Sequence, residues 1–245
     1  MLPARKQADA TNSNGVASEF AAESMKNLLD VADWAFPAEG LGPGKRLILW
    51  VRGCPLACPG CMTPEFWDNG APQTHRETGE IAAILAPLLR DLDGLTISGG
   101  EPTLQSAALT DLIEKLRQFE GLETLEVLSY SGFTLEELNT RGADVAAYLC
   151  TLDILIDGRF EQNAGNLKAW RGSDNQRVHL LSERAQRLYA DKIDAEMPAE
   201  RPLQLQMLGG AGYRLIGIPK RGDLAAYRAA MNTIGIKVRP DVTKS

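Results

Sequence analysis

Apolar positions along this chain fall into two patterns, short continuous runs and stripes of helical period, and from Arg46 onward the two alternate. "RLILWV" (46–51) is an apolar run of strand length, introduced by the turn residues Gly42, Pro43 and Gly44. Ile81, Ile84, Leu85, Leu88 and Leu92 then recur at helical spacing up to Gly94, and Pro87 is expected to kink that helix or to mark its first turn. "LTIS" (95–98) reads as a buried strand. Leu109, Leu112, Ile113, Leu116 and Phe119 form the next helical stripe, ended by Gly121, and "LEVLSY" (125–130) is the strand that follows. Thr134 with Glu137 makes a capping box, which predicts a helix from there to about Leu149, and "LDILI" (152–156) is a fourth strand. Strand and helix in this rhythm predict βα units and a parallel sheet, either open and doubly wound or closed wholly or partly into a barrel.

The ends of the chain depart from the rhythm. "PLQLQML", "GGAG" and "YRLIGIP" predict two strands joined by a glycine turn, an antiparallel hairpin at an edge, followed by a helix over about Asp223–Thr233. The first 24 or so residues, rich in Ala, Ser, Asn and Gln without periodicity, read as a flexible arm. The expected organisation is an arm over 1–28, a main domain over 29–220 and a C-terminal helix and tail over 221–245.

Composition narrows the function. A hydrophobic fraction of 44% in 245 residues suffices for a real core. The 26 basic and 32 acidic residues give a net charge of -6 with no basic block, which argues against nucleic-acid binding. The polar N-terminus lacks the apolar stretch of about 7 to 15 residues of a secretory signal, and no window approaches the roughly 20 apolar residues of a membrane span. A cytoplasmic protein with no membrane association is expected, and in that reducing compartment clustered thiols bind metal or do redox chemistry more often than they form disulfides.

Three of the four cysteines, Cys54, Cys58 and Cys61, stand in "RGCPLACPGC" directly after the first strand. Zinc needs a closed set of four ligands, and Cys150 or His75 as the fourth would stand at no zinc-finger spacing. An electron-carrying cluster also needs a full cysteine set. A [4Fe-4S] cluster held by three cysteines leaves one iron open to a substrate or cofactor, which accounts best for the absent fourth thiol. In parallel βα folds, ligands bind beyond the carboxyl ends of the strands. The next strands lead there into "SGGEP" (98–102), "SYSG" (129–132) and Asp157-Gly158, so four unusual segments should meet on one rim. Trp50 and Trp67 are expected to be packing residues, Cys150 a buried small hydrophobe, and His75 and His179 surface or structural residues. Arg171, Asn175 and Gln176 of "WRGSDNQRVH" should help to shape the rim.

The C-x3-C-x2-C motif followed by a GGE-type loop resembles the radical S-adenosylmethionine (SAM) superfamily. "GPGKRLILWVRGCPLACPGC", "PEFWD", "TISGGEPTLQ", "YSGFTLEEL", "DILIDGRFE", "WRGSDNQRVHLL" and "GIP" resemble its single-cluster glycyl-radical activating branch, which includes activators of anaerobic ribonucleotide reductase. Thr63 stands where that branch has asparagine, and Gly60 where many members of the superfamily have an aromatic. The resemblance implies an α/β fold, a partial (β/α) barrel with a C-terminal β-hairpin and helix. It implies Cys54, Cys58 and Cys61 as ligands of three irons, with SAM on the fourth. Gly99, Gly100 and Glu101 would contact SAM, with Ser129, Ser131 and Asp157 as further contacts from later strands. It also implies reductive cleavage of SAM to a 5′-deoxyadenosyl radical, a flavodoxin- or ferredoxin-type electron donor, and a glycyl-radical enzyme as partner. Direct action on a small molecule or peptide is the alternative enzymatic reading, and a metal-braced interaction module the non-enzymatic one.

Overall fold

The computed structural model describes residues 27–68, 70, 74–197, 203–208, 212–220, 222–233 and 235. The N-terminal arm expected over 1–28 lies almost wholly outside them. β1 (Leu28–Ala38) leads into β2 (Arg46–Val51), the cysteine loop and a short β3 (His75–Glu77). Then follow α1 (Thr78–Leu89), β4 (Gly94–Gly99), α2 (Ser106–Leu116), β5 (Val127–Tyr130), α3 (Leu135–Leu138), α4 (Ala143–Thr151) and β6 (Ile154–Asp157). The described chain ends with β7 (Arg177–Leu180), α5 (Glu183–Tyr189), β8 (Gln204–Leu208), β9 (Gly212–Ile216) and α6 (Asp223–Thr233). None of these helices is long and apolar enough to cross a membrane.

The main sheet has seven strands in the order β3-β1-β2-β4-β5-β6-β7. β2, β4, β5 and β6 are parallel, as the βα rhythm predicts. Both flanks are antiparallel: β1 pairs with β2 and β3 on one side, and β7 with β6 on the other. The sheet is therefore mixed rather than parallel throughout. β1 escapes sequence reading because it lacks a clean period of two. Its register against β2 shifts twice, between Val31 and Asp33 and between Ala35 and Ala38. The expected hairpin is present as β8–β9, but it forms a sheet of its own rather than an edge of the main one.

α1 runs through Pro87. The proline falls in the last turn, and both its ring and Ala83, whose carbonyl loses its donor, are exposed, so water can replace the lost bond. The capping box of Thr134 and Glu137 forms as predicted, yet the helix it starts stops at Leu138. Gly142, at φ 93°, breaks the run, and α4 begins one residue later.

The parallel strands divide their side chains by alternation. Leu47, Leu49, Leu95, Ile97, Val127 and Leu155 pack with α1, α2 and α4 in the largest core cluster. Ile48 and Trp50 face a second cluster with Ile216 from the hairpin, and Leu128, Ile154 and Ile156 a third. Arg214 anchors the hairpin: it pairs with Asp33 and its guanidinium lies 4.8 Å from the Trp50 ring centroid.

Asp157 ties the end of β6 to its surroundings. It accepts from Arg177 Nε (3.0 Å) and NH2 (2.6 Å) and from the Leu135 N–H (2.6 Å), with His179 Nε2 at 2.9 Å. Burial raises its pKa, but His179, Arg177 and the Leu135 N–H outweigh it and hold the carboxyl well below the usual range. Arg177 also pulls exposed Glu136 down to about 2. A depressed carboxylate contributes stability that is present above its unfolded pKa, about 4, and is lost as pH falls toward the folded value. Urea unfolding is thus expected to show stability declining below about pH 4, and the decline should be shallower in Asp157→Asn; equal slopes in the two proteins would contradict this.

Candidate active site

The cysteine loop is closed at its base before any metal enters. The Gly53 N–H donates to the Phe66 carbonyl (2.9 Å) and the Cys54 N–H to that of Trp67 (2.8 Å), so the "PEFW" turn clamps both ends. Phe66 is buried beside Trp50, their ring centroids 6.5 Å apart. Within the loop, Ala57 takes φ 44°, a left-handed backbone, and the Leu56 and Ala57 amides act to lower the pKa of the Cys54 thiol. The Phe160 backbone amide acts to lower the pKa of the Cys58 thiol. Burial nevertheless pushes both thiols up; the charges of Glu101 and then Cys61 add to this at Cys54, and that of Cys61 at Cys58.

The "GGEP" loop extends the β2–β4 pairing beyond the strands. The Gly100 N–H donates to the Val51 carbonyl (2.7 Å) and the Glu101 N–H to that of Gly53 (2.7 Å). A Cβ at Gly99 would strike Val51, and one at Gly100 the Gly53 carbonyl. Both glycines are therefore required by contact with the cysteine loop, and not only by close approach of a ligand. Gly100→Ala is expected to destabilise by about 3 kcal/mol, the upper range for overpacking, because the obstacle is backbone. Gly79→Ala, on α1 with open space around its Cβ position, serves as the control and should be neutral or slightly stabilising in the same denaturant titration.

Glu101 is 1% exposed and clasps two loops together. Oε1 accepts from the Thr103 hydroxyl (2.6 Å), the Thr103 N–H (3.1 Å) and the Ser131 hydroxyl (2.9 Å), and Oε2 from the Gly132 N–H (2.8 Å). Burial raises its pKa, and those four donors oppose the rise. Thr63 donates to the Gly99 carbonyl at 3.1 Å and lies 3.8 Å from the Cys61 sulfur, so the threonine at this position joins the end of the cysteine loop to "GGEP". At Gly60 (φ 73°) a Cβ would meet the Gln162 side chain at 2.8 Å, so Gln162 takes up space that a larger residue would fill.

These loops enclose one side of a cavity of about 630 Å³, within the range of small-molecule sites. Cys54, Cys58, Cys61, Gly99, Gly100, Glu101 and Ser131 all line it. Ser129 and Asp157 do not. Alternation along β5 and β6 turns both toward the helix-covered face, where Ser129 accepts from the Tyr148 hydroxyl (2.8 Å) and Asp157 makes the bonds described above. Their strand neighbours Tyr130 and Gly158 line the cavity in their place. Strict application of the period of two would have found this exchange. The opposite wall comes from Phe160–Asn163, which begins at the end of "DILIDGRFE", and from Leu215–Lys220 at the exit of the hairpin, which contains "GIP". Trp50 and Trp67 line the cavity as well as packing around the loop. Cys150 is exposed on α4 rather than buried, and it lines no part of the cavity, nor does His75.

Among the described residues no three metal-ligating side chains converge on a single point. The three thiols instead border a shared space. That arrangement suits a cluster bound at several irons better than a lone zinc ion.

Fold and site together define an iron–sulfur enzyme with a small-molecule cavity beside its cluster loop. Residues 41–179 match the family described as a 4Fe-4S single cluster domain. The anaerobic ribonucleoside-triphosphate reductase-activating protein of Salmonella typhi is 32% identical over 57% of this chain and 91% of its own length. Those of Enterobacteria phage T4 (30%, over 56% and 85%) and Escherichia coli K12 (31%, over 57% and 91%) are similar in the same way. The solved structure of QueE from Escherichia coli superposes with a TM-score of 0.35 at 16% identity, over 51% of this chain and 58% of that one. The chain belongs to the radical SAM activating enzymes that carry a single 4Fe-4S cluster domain. Its cofactors are a [4Fe-4S] cluster and SAM.

Proposed function

We propose that this protein installs a glycyl radical on a partner enzyme of the anaerobic ribonucleoside-triphosphate reductase type, using SAM cleaved at the cluster. In this reading Cys54, Cys58 and Cys61 hold three irons, and SAM meets the fourth. The chemistry supplied by the bound pair is one-electron reductive cleavage of the sulfonium to methionine and a 5′-deoxyadenosyl radical able to take a hydrogen atom. The protein's own residues orient and shield. Gly99 and Gly100 offer backbone groups to the amino-acid end of SAM. Glu101 and Ser131 hold the two loops at the separation that end requires, and Tyr130, Phe160 and Ile216 bound the remaining volume and exclude water. A partial (β/α) barrel of the superfamily's type belongs to this reading, and the four parallel strands support it. The proposed setting is the cytoplasm, with a flavodoxin- or ferredoxin-type donor.

The observation that carries this reading is the interlock of the cysteine loop and "GGEP" around one cavity, fixed by the Gly100, Glu101 and Thr63 hydrogen bonds. Its test is anaerobic incubation of the reconstituted, reduced protein with SAM and a glycyl-radical enzyme of the anaerobic ribonucleoside-triphosphate reductase type from the same organism. The expected result is a glycyl-radical signal by electron paramagnetic resonance on the partner. SAM cleavage without any radical on that partner would overturn the assignment of the substrate.

A further inference from the structure

Thr63 follows the last cysteine of the loop by two residues, where the related branch has asparagine, and its hydroxyl does not do what its place in the chain suggests. It is the N-cap of the Pro64–Phe66 turn, where a threonine oxygen ordinarily accepts from the second or third N–H of the turn, yet it makes no such bond. The Phe66 N–H goes instead to the Thr63 main-chain carbonyl (3.0 Å). The hydroxyl is left to cross to the other loop, where it donates to the Gly99 carbonyl at 3.1 Å. That carbonyl shares a peptide plane with the Gly100 N–H, which donates to the Val51 carbonyl (2.7 Å). The plane joins two glycines, the residues freest to rotate, and it is held on one side by β2 and on the other by Thr63. Thr63, Gly99 and Gly100 all line the cavity.

The other neighbour of the hydroxyl is the Cys61 sulfur, at 3.8 Å. A hydroxyl has one proton to give, and a cysteine bound to iron as thiolate has none, so carbonyl and sulfur compete for it. At 3.1 Å against 3.8 Å, a gap wider than the larger radius of sulfur accounts for, the proton goes to Gly99. We propose that Thr63 is a positioning residue for SAM: its hydroxyl fixes the Gly99–Gly100 peptide plane, and with it the backbone groups that the amino-acid end of SAM meets, and so sets SAM affinity rather than the potential of the cluster. The inference rests on the SAM site of the proposed function.

The test uses the full chain with its cluster reconstituted anaerobically and left oxidised, so that SAM binds without being consumed. SAM affinity per loaded cluster is read by calorimetry in the wild type, Thr63→Val and Thr63→Ser. Valine keeps the branched shape and removes the donor, while serine keeps the donor and loses the methyl. Thr63→Val is expected to bind SAM about 10-fold more weakly, the upper net worth of one hydrogen bond, and Thr63→Ser as tightly as the wild type. Hydrogen bonds to cluster sulfurs shift the potential, so the midpoint of the SAM-free cluster, followed by electron paramagnetic resonance, should be the same in all three proteins. Wild-type affinity in Thr63→Val, or an equal loss in Thr63→Ser, would overturn the inference while leaving the proposed function intact. A shifted SAM-free potential in Thr63→Val would give the proton to Cys61 and overturn it as well. A fully loaded wild type that binds no SAM would instead refute the site on which the inference rests.

Discussion

Cys58→Ala is expected to fold, to load iron poorly, and to form 5′-deoxyadenosine more than about 100-fold more slowly than the wild type, a loss larger than outer-shell substitutions cause at metal sites. Folding should survive because the loop is closed at its base by the Gly53–Phe66 and Cys54–Trp67 hydrogen bonds, which do not involve the Cys58 side chain. Loading should fail because no other thiol can substitute. Cys150 is exposed on α4 and does not line the cavity. Iron and sulfide analysis alongside product chromatography checks both halves; near-normal turnover would exclude Cys58 from the ligand set.

Arg46→Ala is expected to cost about 3 to 5 kcal/mol of stability, the cost of stranding one member of a buried ion pair. Arg46 is fully buried at the start of β2, and NH1 lies 2.8 Å from Glu126 Oε1. Its remaining donors go to the Thr96 hydroxyl (2.7 Å) and to the carbonyls of Pro43 (3.2 Å) and Leu95 (2.8 Å), while Tyr189 donates to the other Glu126 oxygen at 3.0 Å. Removing the guanidinium leaves a carboxylate and several acceptors unpaired at the end of the sheet away from the cavity. For a chain of this size the melting temperature should fall by roughly 10 °C. Arg46→Met with Glu126→Leu should recover most of that loss, since it removes both charges together. A single-variant cost below about 1 kcal/mol would contradict this account.

The sequence reveals the parallel centre of the sheet because β2, β4, β5 and β6 are apolar on both faces and bounded by glycine and polar loops. It conceals β1, whose bulges and intermixed Asp30, Asp33 and Pro37 erase the period of two. It also conceals the break at Gly142, because a capping box marks where a helix begins and not how far it runs. At the site, the cysteines are legible from their spacing, and "GGEP" from its place after a strand together with the family resemblance. Ser129 and Asp157 mislead because a polar residue at a strand end can serve the core face as readily as the cavity. Phe160 and the exit of the hairpin fall within the quoted "DILIDGRFE" and "GIP", but that they form a cavity wall is hidden, since only the tertiary fold brings 158–163 and 215–220 opposite residue 58.

The central claim, that three cysteines and "GGEP" form a site for SAM cleavage, is tested most directly by one measurement. The wild-type protein, shown by iron and sulfide analysis to carry a full [4Fe-4S] cluster, is reduced anaerobically with SAM, and 5′-deoxyadenosine and methionine are quantified. Formation of the two in equal amounts, dependent on both reductant and cluster, is the predicted result. A fully loaded, reduced protein that forms neither would contradict it.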